Sequence, residues 1–277
     1  MLPDAAAVLG RAAGENFPVA LRLLPRATRR HLTAIYGFAR LVDDVGDEAP
    51  GDRAALLDAV EADLGRVFRG TPRHPLLAAL ARSVRECGLP EQPFRALVEA
   101  NRRDQQTRRY ASWSKLAGYC ELSANPVGHL VLHVFDAATP DNLRRSDAIC
   151  TALQLVEHCQ DVSEDAARGR VYLPADELSA CGCCEGDLSA PSASPALRAC
   201  LAHQVRRVRA LLAEGAPLVA ALRGGARLAV AGFVGGGHAA ADAVERCGFD
   251  VLAHPARPRR RDIARHALRI WRGGRGA

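Results

Sequence analysis

Apolar residues recur along this chain at the spacing of an α-helix, and strand-like alternation is almost absent, which confines the fold to helices packed on helices. Between Arg26 and Glu48 they fall at Leu32, Ile35, Phe38, Ala39 and Val42, giving one inward face, with Pro25 suited to the first turn. Asp52 caps a second such pattern that runs to Phe68 and ends near Gly70. Further helices are expected at 75–87, 91–109, 112–135 with a kink at Asn125-Pro126, 141–167, 195–223, 225–247 and 259–272. Glycine, serine, proline and cysteine cluster between Ser179 and Ser194. This reads as a long loop within one domain spanning 1–277, because the amphipathic helices after it need the earlier ones to cover their apolar faces.

With 277 residues, 48% hydrophobic and 25% charged, the chain is long enough for a large core and is neither disordered nor collagen-like. The net charge of +6 would suit nucleic acid, anionic lipid or a phosphorylated substrate. Much of it lies in the arm 255–277, where eight arginines from Arg257 to Arg275 face a single acid, Asp262. No nucleic-acid recognition motif or interleaved aromatic platform is present, so nucleic acid is not expected as a partner. In the same arm Ile263, Ala267, Ile270 and Trp271 form a short apolar stripe backed by arginines. It suits peripheral contact with an anionic membrane and docking on the bundle equally well.

Nine irregularly placed cysteines and no secretory signal point to a reducing cytoplasm. No apolar run reaches the roughly 18 residues of a spanning helix. Cys181-Gly182-Cys183-Cys184 has no second ligand pair at metal spacing and reads as a variable loop. Cys120, Cys150 and Cys159 sit among apolar neighbours, as small core residues do, while His129 and His133 lack an acidic partner and suit the core or a channel wall.

The chemistry concentrates in two stretches. On a helix, Tyr36, Arg40, Asp43 and Asp47 share one stripe bordering the apolar face. Gln154, Glu157, Asp161 and Asp165 repeat the arrangement on a second, mostly apolar helix. A lone D-x-x-x-D is commonly an acidic surface neutralised by arginines. Two of them at the edges of apolar faces need a cation, because like charges near a protein interior repel and lose hydration. Facing carboxylate pairs suit Mg2+, which takes oxygen ligands and is usually completed by water and substrate phosphates. Arg40 beside the first motif and Arg168, Arg170 and Tyr172 after the second add the positive charge and hydroxyl that a diphosphate needs. Metal plus arginines would stabilise a departing diphosphate, while an apolar interior shields the carbocation left behind.

These blocks, together with Asn16-Phe17, Asp104-Gln105 and Tyr119 to Gly128, resemble the squalene and phytoene synthase family, over a match running from about residue 15 to 174. Within it, Glu15 to Ala20, Phe38-Ala39-Arg40 and Ser123 to Gly128 look most like the branch that forms hydroxysqualene in bacterial hopanoid pathways. The resemblance implies an all-α isoprenoid synthase bundle around a central apolar cavity, with Mg2+ held by Asp43, Asp47, Asp161 and Asp165. It places Arg40, Gln154, Arg170 and Tyr172 near the diphosphate, Asp104, Gln105 and Asn125 near the active site, and Phe17, Tyr36, Leu122 and Val127 along the hydrocarbon channel.

The implied reaction removes diphosphate from presqualene diphosphate and lets water capture the rearranged cation, with functional coupling to other hopanoid-pathway enzymes. Two alternatives stay open: condensation of two prenyl diphosphates, and a non-catalytic relative that binds prenyl lipids. The second is raised by Glu157, which stands where relatives commonly place asparagine, either as an extra metal ligand or as a charge that raises its neighbours' pKa values.

Overall fold

The computed structural model describes residues 2–11 and 23–273. The helices are α1 (Ala5–Gly10), α2 (Arg26–Asp47), α3 (Arg53–Arg69), α4 (Pro75–Cys87), α5 (Glu91–Gln106), α6 (Trp113–Ser123), α7 (Asn125–Val134), α8 (Pro140–Gln160), α9 (Val162–Ala167), α10 (Ala175–Ala180), α11 (Pro195–Gly215), α12 (Pro217–Ala221), α13 (Gly224–Arg246) and α14 (Arg260–Gly273). Among the described residues, extended pairing is limited to one parallel bridge between Arg109 and Val171. The long helices follow the periodicity, and their ends follow local chemistry. The Asp52 side chain accepts from Ala55 N–H at the start of α3, Ser194 accepts from Leu197 N–H before α11, and Gly88 takes a left-handed conformation after α4. Pro25 stands just before α2 rather than inside it.

Three expected helices are divided. The 112–135 segment breaks at Ala124 into α6 and α7, where a kink was expected. The 195–223 segment divides at Ala216, with Pro217 opening α12, and the 141–167 segment is interrupted at Asp161. The expected loop at 179–194 holds the end of α10 and a short 3-10 turn over Glu185–Ser189.

Contacts group the chain into two compact units, Met1–Gln106 with Glu121–Leu143, and Thr107–Cys120 with Arg144–Ala277. In the first, α2 packs on α3, α4, α5 and α7. Phe38 from α2 meets Phe94 from α5 edge to face at 5.1 Å, over a floor that includes Leu41, Leu57, Leu64, Leu77 and Leu80. Each such fully buried side chain contributes about 1.5–3 kcal/mol. In the second unit α13 packs against α11 and α14. The apolar stripe of the C-terminal arm therefore has a protein partner: α14 docks on α13. Gly235 is required there, since a Cβ on it would lie 2.5 Å from the Ala267 backbone nitrogen.

Candidate active site

In the first unit Asp43 keeps an exposed surface on α2, and Asp47 is half-buried. The buried carboxylate of this motif is Asp44, which was not among the expected site residues. Arg40 Nε donates to its Oδ1 at 2.9 Å, and Arg11 reaches the same oxygen at 3.1 Å. Arg40 is thus an ion-pair partner of Asp44 in this structure. Asp43 stands in protein-dense surroundings: loss of solvent pushes its carboxyl up to about 6, opposed by a hydrogen bond from Asn101 and reinforced by Asp47. That Asn101 Nδ2 donates at 3.0 Å from α5. Gln105, one turn on, donates to the Gly46 carbonyl at 2.9 Å, tying α5 to the acidic end of α2. Gly46 permits this approach, as a Cβ there would lie 2.1 Å from Asn101 Oδ1. Asp104 is buried on the same helix. Tyr36 is half-buried on α2 and Leu122 on α6, Asn125 is buried at the start of α7, and Val127 packs against the core. Phe17 lies outside the described residues.

In the second unit Gln154 and Glu157 are half-buried on α8. The expected continuous stripe ends with them, because Asp161 leaves the helical conformation (φ −101°, ψ 17°). The hydrogen-bond ladder still crosses the break, from Asp161 N–H to Glu157 O at 2.9 Å and from Asp165 N–H to Asp161 O at 2.8 Å. Gln160, just before the break, donates its side-chain amide to the carbonyl of Ala256. Asp161 is exposed, and its carboxyl is pushed up to about 6 by loss of solvent, then by Glu164 and Asp165. The backbone N–H of Arg170 donates to Asp165 O at 2.8 Å, and Tyr172 is buried. Residues 171–176 run beside 108–111, with Val171 N–H donating to Arg108 O and Ala175 N–H to Tyr110 O. This brings Tyr110 and Tyr119 to 5.7 and 5.8 Å from Tyr172.

His158, absent from the expected site, is buried and lies flat on Tyr172 at 3.8 Å. A histidine within an acid-rich motif was the signal available for it. Asn101 had none. Of the expected core cysteines, Cys120 and Cys159 are buried and Cys150 is half-buried.

Chemically, each unit offers a pair of oxygen donors suited to a hard divalent cation. In each pair one carboxylate is held in surroundings that disfavour its charge. Among the described residues no three His, Cys, Asp or Glu side chains form a ready-made metal cluster.

The helical architecture with these two acid-rich segments is the isoprenoid synthase fold. The chain belongs to the squalene/phytoene synthase family, whose profile matches residues 11–265, and it is an enzyme of that family. It is 38% identical over 213 residues to hydroxysqualene synthase of Rhodopseudomonas palustris, covering 76% of this chain and 72% of that one. Against presqualene diphosphate synthase of the same organism it is 34% identical over 211 residues, covering 75% of each. The crystal structure of squalene synthase HpnC from Alicyclobacillus acidocaldarius superposes with a TM-score of 0.81 at 42% identity, covering 89% of this chain and 94% of that one. No helix among the described residues is long and apolar enough to cross a membrane.

Proposed function

We propose that this enzyme is a hydroxysqualene synthase acting on presqualene diphosphate with Mg2+. The observation that carries the chemistry is the presence of two separate carboxylate pairs, each containing a group in charge-disfavouring surroundings. The likeness to hydroxysqualene synthases supports the choice of product. Asp43, Asp47, Asp161 and Asp165 would hold Mg2+, whose chemistry is to stabilise negative charge on the departing diphosphate. Arg40, Gln154, Arg170 and Tyr172 orient that diphosphate. Tyr36, Leu122 and Val127 would line the hydrocarbon and keep bulk water from the cation, so that one admitted water captures it. Gln105 and Asn101 hold the first motif in place from α5, and Asp104 lies buried on the same helix.

A second reading, condensation of two prenyl diphosphates, is favoured by the similarity to a presqualene diphosphate synthase over a comparable length. Incubating the pure enzyme and Mg2+ with presqualene diphosphate and, separately, with farnesyl diphosphate distinguishes the two by mass spectrometry. Hydroxysqualene from the former is expected, and turnover of farnesyl diphosphate alone would reject the proposal. Asp43→Asn and Asp161→Asn are each expected to lower turnover about a thousandfold without unfolding the protein. Near-native rates in both would remove the metal roles. A large rise in activity for Glu157→Asn would show that the glutamate weakens this chain.

A further inference from the structure

We infer that His158 is a positioning residue of the second motif, holding Tyr172 by ring stacking and presenting its Nδ1 hydrogen to Asp165; this rests on the reading of that motif as a metal and diphosphate site. Gln154, one helical turn before it, brings its side-chain nitrogen to 3.1 Å from His158 Nε2. An amide nitrogen can only donate, so Nε2 accepts, and the hydrogen of the neutral ring sits on Nδ1. Nδ1 is also the atom facing Asp165, 3.7 Å from its Oδ2. At that length the two groups approach without a hydrogen bond, and a small shift of the Asp165 carboxylate would close the gap. The flat of the same ring covers Tyr172, with centroids 3.8 Å apart and planes inclined by 11°. One buried imidazole therefore joins Gln154, Asp165 and Tyr172, three residues that the sequence distributes over two helices and a connecting segment.

With Nε2 bonded to Gln154, Nδ1 turned to Asp165 and one face on Tyr172, His158 acts through these neighbours rather than on substrate. Outer-shell partners of metal ligands are commonly worth 10–100-fold in affinity because they fix the orientation of the ligand.

The test uses the full chain with Mn2+ in place of Mg2+ and inorganic diphosphate, reading free Mn2+ by electron paramagnetic resonance. His158→Phe keeps an aromatic ring over Tyr172 but removes the donor. It is expected to weaken Mn2+ half-saturation about tenfold. His158→Asn keeps an N–H near the position of Nδ1 and is expected to restore it to within about threefold, although it loses the stacking. Native Mn2+ affinity in His158→Phe, with affinity lost in Asp165→Asn, would overturn the inference and leave the site reading intact. Equal weakening in His158→Phe and His158→Asn would overturn it as well, since the effect would then trace to packing. Unchanged affinity in Asp165→Asn would instead reject the site reading itself. Should His158→Phe fail to fold, His158→Met, unbranched and apolar, provides the same comparison.

Discussion

Asn101 donates to Asp43 from a neighbouring helix, and Gly46 makes room for it. The built Cβ at Gly46 meets the oxygen, carbon and Cβ of a short buried side chain, so little of the clash can be relieved by rotation. Gly46→Ala is expected to lower stability by about 1–3 kcal/mol in urea unfolding. Asn101→Ala leaves Asp43 without this donor, and turnover at limiting Mg2+ is expected to fall about tenfold while the protein stays folded. The residue scale also shows why equal-looking carboxylates differ. Asp44 is buried because Arg40 and Arg11 neutralise it, whereas Asp43 and Asp47 retain contact with solvent.

Helices meet closely only where side chains are small. At Gly235 the atoms nearest to an added Cβ belong to the Ala267 backbone, which cannot step aside as a side chain can. Gly235→Ala is expected to displace α14, lower stability by about 2 kcal/mol and speed proteolytic cleavage in the segment before Arg260. Unchanged melting and cleavage would show that α14 is not held at this point. The contact is reinforced by His266, which meets Asp242 at 2.8 Å, and by Arg246, which donates to the buried Asp262 at 3.2 Å. A basic, amphipathic arm has thus become a docked helix, with its arginines 260, 261, 265, 269 and 272 exposed.

The whole molecule is built to lose stability in acid. Backbone N–H from Ala193 and the Ser192 hydroxyl hold the Asp250 carboxyl down at about 2. Burial pushes Asp63 upward, but the backbone N–H groups of His74 and Arg73 and the Arg66 side chain outweigh it and lower it overall. Both carboxyls bind protons more weakly folded than unfolded, so their contribution is complete above about pH 4 and is lost as pH falls through the folded values. Burial, then His266 and Arg209, lowers His238 from 6.5 to about 4; the unfolded chain therefore takes up that proton first, and this residue's contribution to stability begins to fall below pH 6.5. Asp43 and Asp161, pushed up to about 6, take up protons more readily folded than unfolded and oppose the His238 effect between about pH 6 and 4, so urea midpoints are expected to change little there and to drop most steeply between about pH 4 and 2. Asp250→Asn should flatten the lowest limb, and an unchanged acid limb would refute its part.

Helical period, the cap at Asp52, the left-handed Gly88 and the two acid-rich segments depend on residues within a few positions of one another, so the order of amino acids by itself determined an all-α chain and its two carboxylate motifs. The break at Asp161, the burial of Asp44, the arrival of Asn101 from 58 residues away and the seating of His158 on Tyr172 were decided only in the tertiary structure. Each depends on which distant group reaches a given carboxylate or ring, and packing between helices, rather than local conformational preference, selects that partner.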